Sequence, residues 1–449
     1  MMQSTESQIK YFIETLGCPK NQNDSQFAMG VLEEAGFLEA ASPEDADFVI
    51  VNTCGFIEDA KKESISRIFE MAERKRQDAK LVVSGCLAQR YAEELSEEMP
   101  EAACFVGVHE YGRLPEILKS LLEEGDEKKP IYTGSCDIDI LESKLRKLSD
   151  NPYSETIKIA EGCNNRCTYC VIPAIRGNYA SKRIEDILDE AKTLASKGCK
   201  ELILIAQDVT YYGKDIYGEY VLPKLLEELE RIEGIEWIRL LYCYDERITD
   251  ELIETMAKSK KVCHYIDIPL QHASDKVLRE MNRRSTNKSI REVVKKLRNA
   301  MPDIAIRTTF IVGFPGETEE DYGELVSLVE DMKFDRLGVF SYSREEGTPA
   351  GERDDQIDDK VKEMRLDGIM TRQMDISLES NQKKVGKIFK VLVDGMDDEG
   401  TYVGRTSYDA PEIDNAVLFT SDRELSPGDM VDVEIIDAFD YDLIGREIR

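Results

Sequence analysis

The chain has 449 residues, 41% hydrophobic and 33% charged, with 90 Asp and Glu against 59 Lys and Arg and a formal net charge of -31. That length suggests roughly two to four domains, each able to bury its own core. The acidity argues against a broad phosphate-binding surface, because nucleic-acid affinity comes largely from Lys and Arg displacing counterions, and it fits a basic protein partner better. No apolar run approaches the roughly 20 residues that span a bilayer, and the first residues lack a signal-peptide pattern, so no membrane contact and a cytoplasmic location are expected. The 11 cysteines, an odd number, are then expected to be ligands or buried residues rather than disulfides.

A first domain is expected over residues 8–125. Three apolar segments each lead into a cysteine: Tyr11-Phe12-Ile13 into Cys18, Phe48-Val49-Ile50-Val51 into Cys54, and Leu81-Val82-Val83 into Cys86. Helical patterns over 26–35, 60–72 and 89–97 separate them, so the strands are expected to be parallel, with their loops on one edge. Three distant thiols would meet there, each beside a glycine (Gly17, Gly55, Gly85) that lets backbone approach a bulky ligand. One cysteine alone most often packs as a small hydrophobe, but three at equivalent strand ends suggest a three-cysteine cluster site. Cys104, Cys136, Cys199, Cys243 and Cys263 show no such grouping and are read as packing residues. A charged run closing on Pro130 ends the domain, and residues 126–149 read as a connector with some helix.

The central domain, residues 150–380, opens on Glu161-Gly162-Cys163-Asn164-Asn165-Arg166-Cys167-Thr168-Tyr169-Cys170. Three thiolates spaced C-x3-C-x2-C can hold three corners of a cubane iron-sulfur cluster and leave the fourth iron open. A structural zinc site needs a fourth protein ligand, and none follows nearby. Six apolar strands (157–160, 202–206, 237–241, 265–268, 304–312 and 337–340) alternate with helices, which suggests a partial (βα)6 barrel, open on one side. Its active site would lie at the strand C-terminal ends, near Gln207, Asp208, Tyr242, Tyr244, Gln271, His272 and Gly313-Phe314-Pro315-Gly316-Glu317-Thr318. His264 and His272 read as structural hydrogen-bonding residues.

The last domain, residues 381–449, reads as about five short antiparallel strands in a small β-barrel. From Val391 onward it carries 16 Asp and Glu against four Arg and no Lys, a surface suited to a cationic protein and repellent to phosphate.

The cysteine loop, with the aromatic Tyr169 before its last cysteine, resembles that of radical S-adenosylmethionine (SAM) enzymes. Three first-domain thiols, C-x3-C-x2-C in the second domain and a terminal, TRAM-like barrel together resemble the radical SAM methylthiotransferase family from about Tyr11 to the end of the chain. One branch of that family modifies a transfer-RNA adenosine, the other an aspartate of ribosomal protein S12. Ala206-Gln207-Asp208-Val209-Thr210, Asp267-Ile268-Pro269-Leu270-Gln271-His272, the stretch Arg307 to Thr318 and the stretch Gly404 to Asp414 look like the second branch, and the acidic barrel agrees. The resemblance implies that Cys163, Cys167 and Cys170 hold a 4Fe-4S cluster whose open iron binds SAM, with Tyr169, Gly313 and Glu317 as cofactor contacts. It implies that Cys18, Cys54 and Cys86 hold an auxiliary 4Fe-4S cluster presenting sulfur. Reduction by an electron donor would give a 5'-deoxyadenosyl radical, which takes hydrogen from the β-carbon of the aspartate. A reading from another class is a non-catalytic iron-sulfur electron carrier, which needs no SAM pocket.

Overall fold

The computed structural model describes residues 8–123, 129–134, 145–149 and 151–448, so Cys136 and most of the expected connector lie outside the described residues. The chain divides into two compact units. One holds residues up to 149 with 160–164 and 170–180; the other holds 150–159, 165–169 and everything from 181 onward.

In the first unit, β1 (Lys10–Thr15), β2 (Leu38–Glu39), β3 (Phe48–Thr53), β4 (Lys80–Gly85), β5 (Ala102–Val106) and β6 (Ile131–Tyr132) form a six-stranded sheet in the order β2-β1-β3-β4-β5-β6. Every pairing is parallel, as the strand-helix alternation predicts. The helices are α1 (Pro19–Glu34), α2 (Glu58–Arg74), α3 (Cys86–Glu98), α4 (Leu114–Glu123) and the short α5 (Ile172–Arg176). Alternate residues of the central strands feed two cores: Val49, Val51, Leu81 and Val83 join one, whereas Phe48, Ile50 and Val82 join the other. Burial on both faces is why these strands read as unbroken apolar runs. The two-residue β2 and β6 carry no such run, and β6 falls where a connector was expected.

The second unit opens on β7 (Ser154–Lys158), and in sequence two short strands flank the cysteine loop, β8 (Ala160–Glu161) in the first unit and β9 (Ala180–Ser181) at the division between the units. There follow β10 (Glu201–Ile205), β11 (Trp237–Leu240), β12 (Val262–Gln271), β13 (Ala305–Val312) and β14 (Arg336–Ser341). The sheet order β14-β13-β12-β11-β10-β7 is parallel throughout and ends at β7 and β14, the open six-strand half-barrel expected. Between the strands lie α6 (Ile184–Ser196), α7 (Leu222–Glu230), α8 (Asp250–Lys258), α9 (Asp275–Glu280), α10 (Asn287–Ala300) and α11 (Glu319–Met332), and α12 (Asp359–Gln382) follows β14. Sequence periodicity misses α12 because its buried stripe is polar: Lys362, Arg365, Ile369, Gln373, Ser377 and Asn381 recur at helical spacing. Within this stripe Arg365 donates to Glu317 Oε1 at 3.0 Å, Gln373 to Phe334 O at 2.8 Å and Asn381 to Phe439 O at 3.1 Å.

The terminal barrel is closed, in the order β15 (Ile388–Met396), β16 (Tyr402–Thr406), β17 (Val417–Thr420), β19 (Leu443–Glu447) and β18 (Met430–Ala438). Four of its pairings are antiparallel, but β17 and β19 run parallel, a departure from the expected all-antiparallel barrel. An odd number of strands cannot alternate direction all the way round a ring, so closure forces one parallel neighbour. The barrel meets the N-terminal ends of the half-barrel strands through buried ion pairs. Glu201, at the start of β10, accepts from Arg239 Nε at 2.8 Å and Arg405 Nη1 at 2.5 Å, and all three residues are buried. Arg336 pairs with Asp409, and Arg307 with Asp414.

Burial alone would raise the Glu201 carboxyl, but Arg405 and Arg239 outweigh it and hold the group at about 2 against an ordinary 4.5. Glu201 therefore contributes stability above pH 4.5 that is lost as pH falls through about 2. Glu201→Gln would leave the buried Arg239 without its carboxylate and Arg405 with Asp394 alone, and is expected to destabilise the second unit by about 3–5 kcal/mol, measured by urea unfolding. A change below about 0.5 kcal/mol, the range of ordinary surface substitutions, would contradict that role.

Candidate metal centres

The parallel order of β1, β3 and β4 brings Cys18, Cys54 and Cys86 to one edge of the first sheet. Cys18 caps α1, Cys54 follows β3, and Cys86 begins α3 directly after β4. The loops carrying them touch. A methyl group on Gly17 would lie 2.9 Å from Cys54 Cβ, and one on Gly55 would lie 3.0 Å from the Cys86 carbonyl carbon, so neither position admits a side chain. Burial pushes the Cys54 thiol up to about 11, with charge on Cys86 and Cys18 adding to the push. The Cys86 thiol is also raised by burial, against the pull of Arg176.

A polar network lies around these strand ends. Asn21 Nδ2 donates to Leu16 O at 2.9 Å and Thr53 O at 3.0 Å, tying β1 to β3. Asn52 donates to Asn21 O at 2.9 Å and Ser25 Oγ at 2.8 Å, and Tyr111 donates to Asn52 Oδ1 at 2.9 Å. Sequence reasoning passed over Asn21, Asp24 and Arg176; the polar run Asn21-Gln22-Asn23-Asp24-Ser25 at the start of a helix was the available signal.

Cys163, Cys167 and Cys170 share the loop between β8 and α5, and Cys163 and Cys167 are both 6% exposed. The Cys163 N–H donates to Gly177 O at 3.1 Å. Residues 165–169 are held within the second unit. Thr168 donates from N–H to Met281 O at 3.1 Å and from its hydroxyl to Glu280 O at 2.8 Å, and accepts from Ala350 N–H at 3.0 Å. Asn165 donates to Asp208 Oδ2 at 2.9 Å and accepts from Arg247 at 2.8 Å, while Arg247 also donates to Asp208 at 2.6 Å. Cys167 Sγ lies 3.8 Å from the Tyr244 hydroxyl, and the Arg283 guanidinium stacks 4.2 Å from the Tyr244 ring centroid. Tyr169 packs on an apolar cluster of Val277, Met281, Phe314, Tyr342 and Ala350.

Phe314 belongs to the loop after β13, and this loop joins Tyr169 to the Gly313–Glu317 stretch. Glu317 folds back to shape it: Oε2 accepts from the N–H of Gly313 at 2.5 Å and of Phe314 at 3.0 Å, and Oε1 accepts from Arg365 Nη1 at 3.0 Å. Burial pushes the Glu317 carboxyl up to about 7 against those donors. Thr318 and Asp321 then form a capping box that starts α11. His272 is fully buried, accepts from Ser274 N–H at 3.0 Å on Nδ1, and is driven down to about 3 by burial, so it is a neutral structural residue. His264 pairs with Asp303 at 2.8 Å.

Cys104, Cys199, Cys243 and Cys263 are buried, and burial raises each thiol, to about 12, about 12, far upward and about 11. They are packing residues, as expected. Among the described residues no group of three His, Cys, Asp or Glu side chains converges to hold a single metal ion. A four-iron cubane asks for a different donor set, in which each thiolate takes a different iron, and the adjoining loops that carry Cys18, Cys54 and Cys86 suit it.

Three acidic residues of the terminal barrel are engaged by arginines, and two of them, Asp409 and Asp414, are withdrawn from solvent. Asp409 and Asp414 pair with Arg336 and Arg307, and Asp394 lies 3.0 Å from Arg405. The remaining surface is still acidic, with Asp397, Asp398, Glu399, Asp422, Glu424, Asp429, Asp432 and Asp437 exposed.

An open six-strand parallel half-barrel whose first strand runs into a C-x3-C-x2-C loop defines a radical SAM protein, and residues 157–329 match the Radical SAM superfamily. Residues 10–107 match the Uncharacterized protein family UPF0004, and residues 385–448 the TRAM domain. Among solved structures, the radical SAM methyltransferase TsrM from Kitasatospora setae, with cobalamin and a [4Fe-4S] cluster bound, shares the fold at TM-score 0.58 and 17% identity, over 77% of each chain. The ribosomal protein uS12 methylthiotransferase RimO of Clostridium tetani is 48% identical over 98% of both chains, and that of Desulforamulus reducens is 50% identical over 96% of this chain and 98% of its own. The chain belongs to the ribosomal protein uS12 methylthiotransferase (RimO) family. Among the described residues, no helix is long and apolar enough to cross a membrane.

Proposed function

We propose that the chain adds a methylthio group to the β-carbon of an aspartate in ribosomal protein uS12, with Cys163, Cys167 and Cys170 holding one 4Fe-4S cluster and Cys18, Cys54 and Cys86 the other. The observation that carries this reading is that the chain is 48% identical to RimO of Clostridium tetani over nearly its whole length, and the two sets of three cysteines in its sequence support it. When bound, the clusters and SAM supply the electron, the radical, the sulfur and the methyl group, which an unactivated carbon-hydrogen bond requires because no side-chain base can remove its hydrogen.

The chain's own residues place and shield. Cys163 and Cys167 lie out of solvent, and Asn165, Arg247 and Asp208 fix the loop between them. Glu317 and Arg365 hold the Gly313–Phe314 backbone as a cofactor cradle, and Tyr169 packs beside it on Phe314. Glu317→Ala would release two loop N–H groups and one buried guanidinium; it is expected to weaken SAM binding about 10- to 100-fold, measured by equilibrium dialysis, at unchanged iron content. Unchanged affinity would remove Glu317 from the cradle.

The parts work as a cluster-bearing segment over 8–125, a connector over 126–149, a radical SAM core over 150–380 and a barrel over 381–449. The exposed carboxylates of the barrel favour a basic protein over transfer RNA, and the reaction draws on an electron donor, with uS12 met free or on the ribosome. The test is an anaerobic reaction of reconstituted protein, SAM and reductant with uS12 and, separately, with transfer RNA. A methylthio adduct on uS12 supports the reading; an adduct on transfer RNA moves the chain to the other substrate class, and absence of 5'-deoxyadenosine favours an electron carrier.

A further inference from the structure

Arg176 ends α5 and is 3% exposed. Its Nη1 donates to Asp24 Oδ2 at 2.6 Å and lies 3.4 Å from Glu161 Oε2. Its Nη2 donates to Asn21 Oδ1 at 2.8 Å and lies 3.2 Å from Cys86 Sγ. Asn21 and Asp24 stand three residues apart on one face of α1, just after Cys18. Because Asn21 Nδ2 is committed to the Leu16 and Thr53 carbonyls, its oxygen is fixed toward the guanidinium.

Burying an arginine is unfavourable unless charge and hydrogen bonds compensate it, and two carboxylates and an amide do so here. Those partners fix the planar group in one orientation, and in that orientation its Nη2 edge reaches a cysteine sulfur. A carboxylate pair alone would neutralise the charge without bringing it to the thiol. The neighbouring apolar contacts of Cys86 with Val108, Val171 and Ile175 keep water from this side of the sulfur.

We propose that Arg176 is a positioning residue of the auxiliary iron site, where it hydrogen-bonds the Cys86 sulfur and, by turning the positive end of its ion-pair array toward that ligand, holds the reduction potential of the site up. The inference rests on the reading that Cys18, Cys54 and Cys86 hold iron. A donor on a ligand sulfur and a nearby cation both favour the reduced, more negative form of a cluster. Asp24 and Glu161 aim the guanidinium and keep it in place.

The test uses full-length protein carrying Cys163→Ala, Cys167→Ala and Cys170→Ala, so that only auxiliary iron is observed, and compares Arg176 with Arg176→Lys, Arg176→Gln and Arg176→Gln/Asp24→Asn. The double variant removes the carboxylate that loss of the guanidinium would strand. An EPR-monitored redox titration is expected to show the double variant at lower potential, with the reduced-to-oxidised ratio at the parent midpoint down about tenfold, or ~59 mV for a one-electron couple. Arg176→Lys, which keeps the charge but not the fork, falls between. Loss of iron from Gln variants with native circular dichroism, restored in Arg176→Lys, also supports the assignment. An unchanged midpoint at equal iron content overturns it, as does iron loss that only accompanies unfolding in all three variants. Absence of iron from the parent with Arg176 intact would instead refute the auxiliary-site reading itself.

Discussion

Cys163→Ala is expected to remove about four of about eight irons per chain and to reduce SAM cleavage to background. A cubane with one open iron has no ligand to spare: three thiolates hold it, and the fourth corner belongs to SAM. Cys163 is 6% exposed and its N–H is fixed to Gly177 O, so the substitution leaves a small gap at a backbone that stays in place. The remaining cysteines give no replacement, because Cys199, Cys243 and Cys263 are buried in the core of the half-barrel unit. Iron determination after anaerobic reconstitution, with chromatography of 5'-deoxyadenosine after reduction, measures both effects. Full iron content with normal cleavage would remove Cys163 from the ligand set.

Cys54→Ala is expected to act differently, abolishing methylthio transfer while SAM cleavage persists. Cys54 sits in the first unit beside Gly17, and its neighbour Gly55 lies against the Cys86–Leu87 backbone. The side chain is only partly buried, so the fold should survive with a loss of roughly 1 kcal/mol, whereas the cluster loses one of its three ligands. About four irons should remain, bound to the C-x3-C-x2-C loop. The same reconstituted sample, assayed for 5'-deoxyadenosine and for modified uS12, separates the two functions. Transfer retained at the wild-type rate would show that the strand-end cysteines hold no reacting sulfur.

The six cysteines could be singled out as candidates because each set carries a local signature: a fixed spacing in one case, and a strand end with an adjacent glycine in the other. The half-barrel was legible from its strand-helix alternation and from β10 and β11, which are buried along their whole length, whereas β7 and β13 alternate buried with part-exposed residues. Arg176 was not legible. Its partners Asp24 and Asn21 lie 152 and 155 residues away in sequence, and only the folded chain brings them together. The helix α12 was hidden because its inward stripe is mostly polar, with Arg365, Gln373 and Asn381 held by contacts that periodicity cannot show. Charge counting also had a limit in the barrel. It took Asp409 and Asp414 as surface charge, yet both are spent on arginines of the half-barrel. The exposed remainder is still acidic, so the inference of a basic partner stands on fewer residues than the composition suggested.

Mass spectrometry of ribosomal protein uS12 from cells with and without this chain tests the account most directly. The account predicts one methylthio group on a single aspartate of uS12, present only when the chain is present and lost with Cys163→Ala or Cys54→Ala. Unmodified uS12 in both strains, with a methylthio group on a transfer-RNA adenosine that follows the chain instead, would contradict it.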